Sequence, residues 1–169
     1  MKKLMFLVLF LSFQTFAALN MTPGLWELDV KIKAKGVESD PRAEIQKALA
    51  KMPEAQRKKM EAMMASMGAG ISSNGAIKVC YSEEMLKKDT LAPDDKFKKC
   101  KTNIVTKTAQ KMVTDFICED GTKGKATWKV ESKEKLKGLV EMTKKGEDSK
   151  INYTGKFVNK SCGAIKPIL

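Results

Sequence analysis

Between Cys80 and Cys162 the chain spreads four cysteines through short alternating segments, and it contains no histidine anywhere. Thiols in even number, without the usual partner for metal or nucleophilic chemistry, point to disulfides formed in an oxidising compartment. No two of Cys80, Cys100, Cys118 and Cys162 make a C-x-x-C pair. That removes the spacing of zinc, iron–sulfur and thioredoxin-like redox sites. A disulfide-stabilised, mainly β chain is the expectation.

Apolar residues recur at every second position, as a strand with one buried face requires. Ile151, Tyr153 and Phe157 share a face against Asn152, Thr154, Lys156 and Val158. Gly155 falls on the apolar side, where a missing side chain lets a neighbouring ring cross. Ala126, Trp128 and Val130 repeat the pattern, as do Met112, Thr114, Phe116 and Cys118. The cleanest case is Trp26, Leu28, Val30 and Ile32, with Glu27, Asp29, Lys31 and Lys33 between them and Pro23 where no ladder bond is lost. Trp26 reads as a core anchor, and Glu27 and Asp29 as a solvated edge. Glu119-Asp120-Gly121-Thr122, Lys123-Gly124 and Lys145-Gly146-Glu147-Asp148 supply turn chemistry. These features predict an α+β chain dominated by an antiparallel meander sheet or partly closed barrel.

Lys2 and Lys3 precede an uncharged run from Leu4 to Phe16, the length of a signal-peptide core, and Ala17 suits the cut. Cleavage there leaves 18–169 as a single β-rich domain, with no cysteine placed for a lipid anchor and no later stretch able to span a bilayer. A bacterial periplasmic or secreted location is expected. The formal charge is +12, and almost all of it is lysine, with Arg42 and Arg57 the only arginines. Dedicated nucleic-acid readers recruit the planar fork of arginine. A lysine surface is either simply solvated or meets anionic lipid, lipopolysaccharide or cell-wall polymer.

A helical hairpin is predicted over 40–68. Asp40 caps its first helix with Pro41 in the first turn, Pro53 restarts the second, and Gly68-Ala69-Gly70 ends it. Met60, Met63, Met64 and Met67 form one stripe on the second helix, opposite Arg57, Lys58, Lys59 and Glu61. The stripe is expected to roof the apolar side of the sheet, since methionine is an adaptable filler. The alternative is a periplasmic Cu(I) site, because thioethers select soft copper. No other cofactor is implied.

Four cysteines allow three pairings. Cys80 with Cys100 and Cys118 with Cys162 is preferred, the first closing a loop that holds a short capped helix at Ser82–Leu86 and a turn at Pro93-Asp94-Asp95. The rival faces Cys100 and Cys118 across a hairpin at Ala109-Gln110.

Met21-Thr22-Pro23-Gly24-Leu25-Trp26-Glu27, then Met52-Pro53-Glu54-Ala55-Gln56-Arg57 before a Met-rich helix, then Val79-Cys80-Tyr81-Ser82-Glu83-Glu84, Phe116-Ile117-Cys118 and Tyr153-Thr154-Gly155-Lys156 stand in that order. The set resembles the bacterial secreted family labelled domain of unknown function 3617, over essentially all of the chain after the leader. The resemblance implies a small exported β-rich domain in the cell envelope, and brings no activity or catalytic residues with it. The heavy lysine content sets this chain apart within that pattern.

Without histidine, Ser-His and Cys-His arrangements are excluded. Glu83-Glu84 and Asp94-Asp95 suit a helix start and a turn. The expectation is therefore a non-catalytic envelope protein that binds a hydrophobic or anionic ligand or partner. Intact mass of the exported chain should show the leader removed after Ala17 and every thiol oxidised; free thiols would overturn the framework.

Overall fold

The computed structural model describes residues 18–87 and 99–167. The expected leader at 1–17 and the expected turn at Pro93-Asp94-Asp95 lie outside the described residues. In chain order the elements are β1 (Gly24–Ala34), β2 (Val37–Ser39), α1 (Pro41–Lys51), α2 (Glu54–Ser66), β3 (Ala69–Ile71), β4 (Ile77–Tyr81), α3 (Glu83–Lys87), β5 (Cys100–Lys107), β6 (Lys111–Cys118), β7 (Lys123–Ser132), β8 (Lys135–Lys144) and β9 (Glu147–Asn159).

The strands form one nine-stranded sheet in the order β3-β4-β1-β9-β8-β7-β6-β5, with β2 paired to the far half of β1. All pairings are antiparallel. From β5 to β9 it is the expected meander, and it stays open. What alternation alone does not reveal is that β1 crosses to lie against β9, placing the first strand inside the sheet. Glu27 and Asp29 are therefore not on an edge. Glu27 pairs with Lys156 of β9 at 3.0 Å, and Asp29 receives Arg42 of α1 at 2.9 Å. Lys123 and Gly124 belong to β7, and only Lys145 and Gly146, both at positive φ, turn the chain between β8 and β9.

The sheet is strongly coiled at one end. Leu19 N–H donates to the Leu86 carbonyl in α3, and the next amide, Asn20, donates to Ala109 between β5 and β6. Lys107 Nζ, at the end of β5, donates to Lys87 O at 3.0 Å. In a flat sheet β4, which leads into α3, would stand roughly 24 Å from β6. The segment 18–22 thus laces together two flanks that a flat sheet would hold apart. Its side chains Leu19 and Met21 join Trp26, Leu28, Val79, Tyr81, Met85, Leu86, Met112 and Leu136 in the buried core.

Trp26 is fully buried, as its place in β1 predicts. Its ring meets Tyr81 and Phe157 edge-on at 6.1 and 6.0 Å, and its Nε1 donates to Thr22 O. Burial also pushes the Tyr81 phenol above its ordinary pKa. Gly24 has φ +138, and a Cβ there would strike the Asn159 carbonyl of β9. The Pro-Gly-Leu-Trp-Glu stretch is thus built to let β1 enter between β4 and β9.

The two predicted helices form where expected, packing on β1 and β3 rather than closely on each other. Asp40 caps α1, accepting from the Arg42 amide and guanidinium. The Arg42 guanidinium holds the Asp40 carboxyl down at about 2. Ser82 Oγ caps α3 by accepting from Met85 N–H. The Met stripe does not roof the sheet, however. Neither α1 nor α2 contains a buried residue; α2 lies against the short edge strand β3, and α1 meets β1. A helical period shows which residues share a face, but not what that face will meet.

The bridges are Cys80–Cys162 and Cys100–Cys118, so the preferred pairing is overturned in favour of the rival. Cys100 and Cys118 are direct cross-strand partners in β5 and β6. Leu25 of β1 pairs with Cys80 on one side and Asn159 on the other, so the chain leaving β9 passes close to β4. The tail beyond Cys162 then docks on α2 and β3: Lys166 N–H donates to Ala65 O, and Ile165 lies over Gly70. By loop-closure entropy, losing the bridge that spans 82 residues costs about 4.5 kcal/mol, and losing the one spanning 18 about 3. Denaturation of C80S/C162S and C100S/C118S should rank them so. Hydrogen exchange should show α2 loosened in the first alone.

Candidate functional site

Across β6, β7, β8, β9 and β1 one face of the sheet is largely apolar, and cross-strand register arranges it in rows. The first row runs Val130, Leu136, Gly155, Leu28 across β7, β8, β9 and β1; the second runs Trp128, Gly138, Tyr153, Val30. The third is Ala126, Val140, Ile151, Ile32, and the fourth is Gly124, Met142, Ser149, Ala34. Met112, Thr114 and Phe116 of β6 extend the second, third and fourth rows in turn.

Across β7, β8, β9 and β1 burial falls from row to row, whereas on β6 Met112, Thr114 and Phe116 all stay buried. Leu28 and Leu136 are buried within the core. In the second row Val30 and Gly138 are buried while Trp128 and Tyr153 are half-exposed; all four residues of the third row are half-exposed, as are Met142 and Ser149 in the fourth. Hydrophobic strand residues that face inward usually bury completely in a closed core. Here the lower rows form an apolar floor that stays within reach of solvent.

The floor has a defined shape because glycines let large side chains cross the backbone. Trp128 and Tyr153 stack with ring centroids 5.5 Å apart, although their strands are separated by β8. They meet above Gly138, where a Cβ would lie 2.7 Å from Trp128 Cζ3 and 3.3 Å from Tyr153 Cδ2. Over Gly155 the crossing groups are Leu136 and Leu28, not the ring expected from sequence. Phe116 lies against Gly124 in the same manner. Burial raises the pKa of the Tyr153 phenol, keeping it neutral.

The opposite face carries paired charges alongside a few apolar side chains, Val113, Ile117 and Val158 among them. Glu27–Lys156, Glu141–Lys150 and Asp115–Lys125 are ion pairs between register partners. A groove of about 510 Å³ touches this face along Asp115, Ile117, Lys125, Glu141 and Lys150, and its charges largely satisfy one another.

Of the four methionines singled out in the sequence, Met60, Met63 and Met64 lie in α2 and Met67 caps its C-terminus, and they split between two environments. Met60 and Met64 are half-buried, while Met63 and Met67 are 58% and 56% exposed. Among the described residues no cluster of three or more Cys, Asp or Glu is placed to hold a metal ion, and no helix is long and apolar enough to cross a membrane. The four cysteines, Cys80, Cys100, Cys118 and Cys162, are consumed by the two bridges. Sequence reasoning placed Trp128 and Tyr153 in alternating strands without bringing them together. The available signal was Gly138, two residues from Leu136 and Val140 on the inner side of a strand left unassigned.

Adding a methyl at Gly138 forces the Trp128–Tyr153 stack apart or shifts β8. G138A should cost about 2 kcal/mol, as overpacking of a rigid site does, read from the urea midpoint. It should also change the near-ultraviolet circular dichroism of the ring pair.

No curated protein and no solved structure matches the chain. The family model described as Protein of unknown function (DUF3617) matches residues 21–162. That span opens on the Met21–Glu27 stretch that seats β1, runs through β9 with its Tyr153-Thr154-Gly155-Lys156, and closes on Cys162, and the chain belongs to this family.

Proposed function

We propose that this is an exported, non-catalytic envelope protein that binds a hydrophobic molecule of acyl-chain character on the lower rows of the inner sheet face. The observation that carries the reading is the fall in burial along the apolar rows of β7, β8, β9 and β1. The core closes over the first row, and Trp128, Tyr153, Ile32, Val140, Met142 and Ile151 are left half-exposed beside it. A long methylene chain suits such a floor, because the rows present aliphatic and aromatic surface with few polar groups. Two disulfides fit an oxidising envelope compartment. The lysine surplus favours ligands with an anionic head.

Burying about eight methylenes contributes roughly 6 kcal/mol, which corresponds to a dissociation constant in the tens of micromolar. A ring at the floor gives a direct test, because Trp26 is fully buried and Trp128 is not. A brominated long-chain fatty acid should quench the tryptophan emission saturably, and W128F should lose most of that quenching while keeping its circular dichroism. Quenching that is absent, or undiminished in W128F, would overturn the reading.

A further inference from the structure

We infer that the α1–α2 hairpin is a docking element for an anionic membrane surface, with Met63 and Met67 as its apolar contacts and the surrounding lysines as its electrostatic ones. The starting observation is where the methionines lie. Met60 and Met64 turn partly toward the body of the protein, but Met63 and Met67, one turn apart on the adjoining flank, are more than half exposed. They are the large exposed hydrophobics of the two helices.

Charge on the same hairpin selects among possible partners. Arg42 is occupied by Asp29 and Asp40, Lys58 by Glu54 and Arg57 by Glu61. Lys47, Lys51 and Lys59 have no ion pair among the described residues, against one such acid, Glu44. Lys59 lies one turn before Met63 and borders it, rather than standing opposite the stripe as the sequence pattern suggests. Lys47 and Lys51 stand on the other helix, so the charge is spread along the helical pair while Lys59 alone borders the thioethers. A surface that accepts exposed thioethers on such a cationic element is an anionic bilayer interface, where apolar contacts enter the acyl boundary and lysines reach phosphate. Lone cationic neighbours disfavour a metal cation at the same place.

The back of the hairpin is held, which leaves this flank as the presented one. Ala65 O accepts from Lys166 N–H, in a tail tethered through Cys162 to β4. Docking here is independent of the inner-face ligand, so either proposal can fail without the other.

Vesicles of phosphatidylglycerol and phosphatidylcholine, against vesicles of phosphatidylcholine alone, provide the test. The oxidised full protein should co-sediment with the anionic vesicles at least about tenfold more tightly, and should be released by about 1 M salt, where the Debye length is only about 3 Å. M63Q/M67Q should weaken binding about tenfold with an unchanged thermal melt, and M63W should shift its emission to the blue when anionic vesicles are added. Equal binding to neutral vesicles, or unchanged binding and no blue shift in the variants, would overturn the proposal. So would a Cu(I) titration that responds to M63Q/M67Q while vesicles are ignored, since that would assign the pair to a soft metal.

Discussion

The pairing of the first strand with the last is the constraint from which the rest of the architecture follows. β1 lies between β4 and β9, and bringing those segments together closes most of the chain into one loop. Such closure is entropically costly and must be offset by contacts at the junction. Trp26 makes those contacts, buried between the rings of Tyr81 and Phe157. Gly24 removes the Cβ that would strike Asn159. The Cys80–Cys162 bridge then locks the strand on one side of β1 to the chain leaving the other.

That same junction explains which parts of the fold were legible in the sequence. Strand identity is local: alternation along Trp26–Ile32, Met112–Cys118, Ala126–Val130 and Ile151–Phe157 identifies β1, β6, β7 and β9 because a single buried face imposes period two. Helix starts are local too, and Asp40-Pro41 and Ser82 cap as their chemistry dictates. Disulfide pairing is not local. It depends on which strands become neighbours, and no spacing between Cys80 and Cys162 announces that Leu25 will stand beside both Cys80 and Asn159. The Met stripe fails for a related reason. Four methionines at helical spacing describe a surface, and the sheet supplies its own cover from Leu19, Met21, Met85 and Leu86 instead.

The candidate site divides along the same line. Trp128 and Tyr153 are visible as inward-facing residues of separate strands, but they become one stacked pair only through the register that puts Gly138 between them. The stretches that mark the family have largely structural duties in this chain. Thr22 receives the Trp26 indole, Gly155 accommodates two leucines, and Lys156 neutralises Glu27. Motifs that specify how a sheet closes carry little information about what it binds. The half-exposed apolar positions, from Trp128 and Tyr153 to Val140, Ile151 and Met142, lie mostly outside those motifs.

The two faces of the sheet make the incomplete burial of those rows more informative. On the outer face, cross-strand acid–lysine pairs keep an exposed surface soluble, each contributing modestly. The inner face has no such devices along Ala126, Val140, Ile151 and Ile32, although they are half-exposed. If solvation were the sole demand on these positions, threonine or lysine would serve a strand there as well. If core stability were the sole demand, these positions would be fully buried rather than left half-exposed. Aliphatic residues that neither bury fully nor yield to polar ones are what a floor for a removable apolar ligand requires. The coil of the sheet leaves these rows open, because the segment 18–22 draws its flanks together at the core end while β3 and β5 remain unpaired to each other.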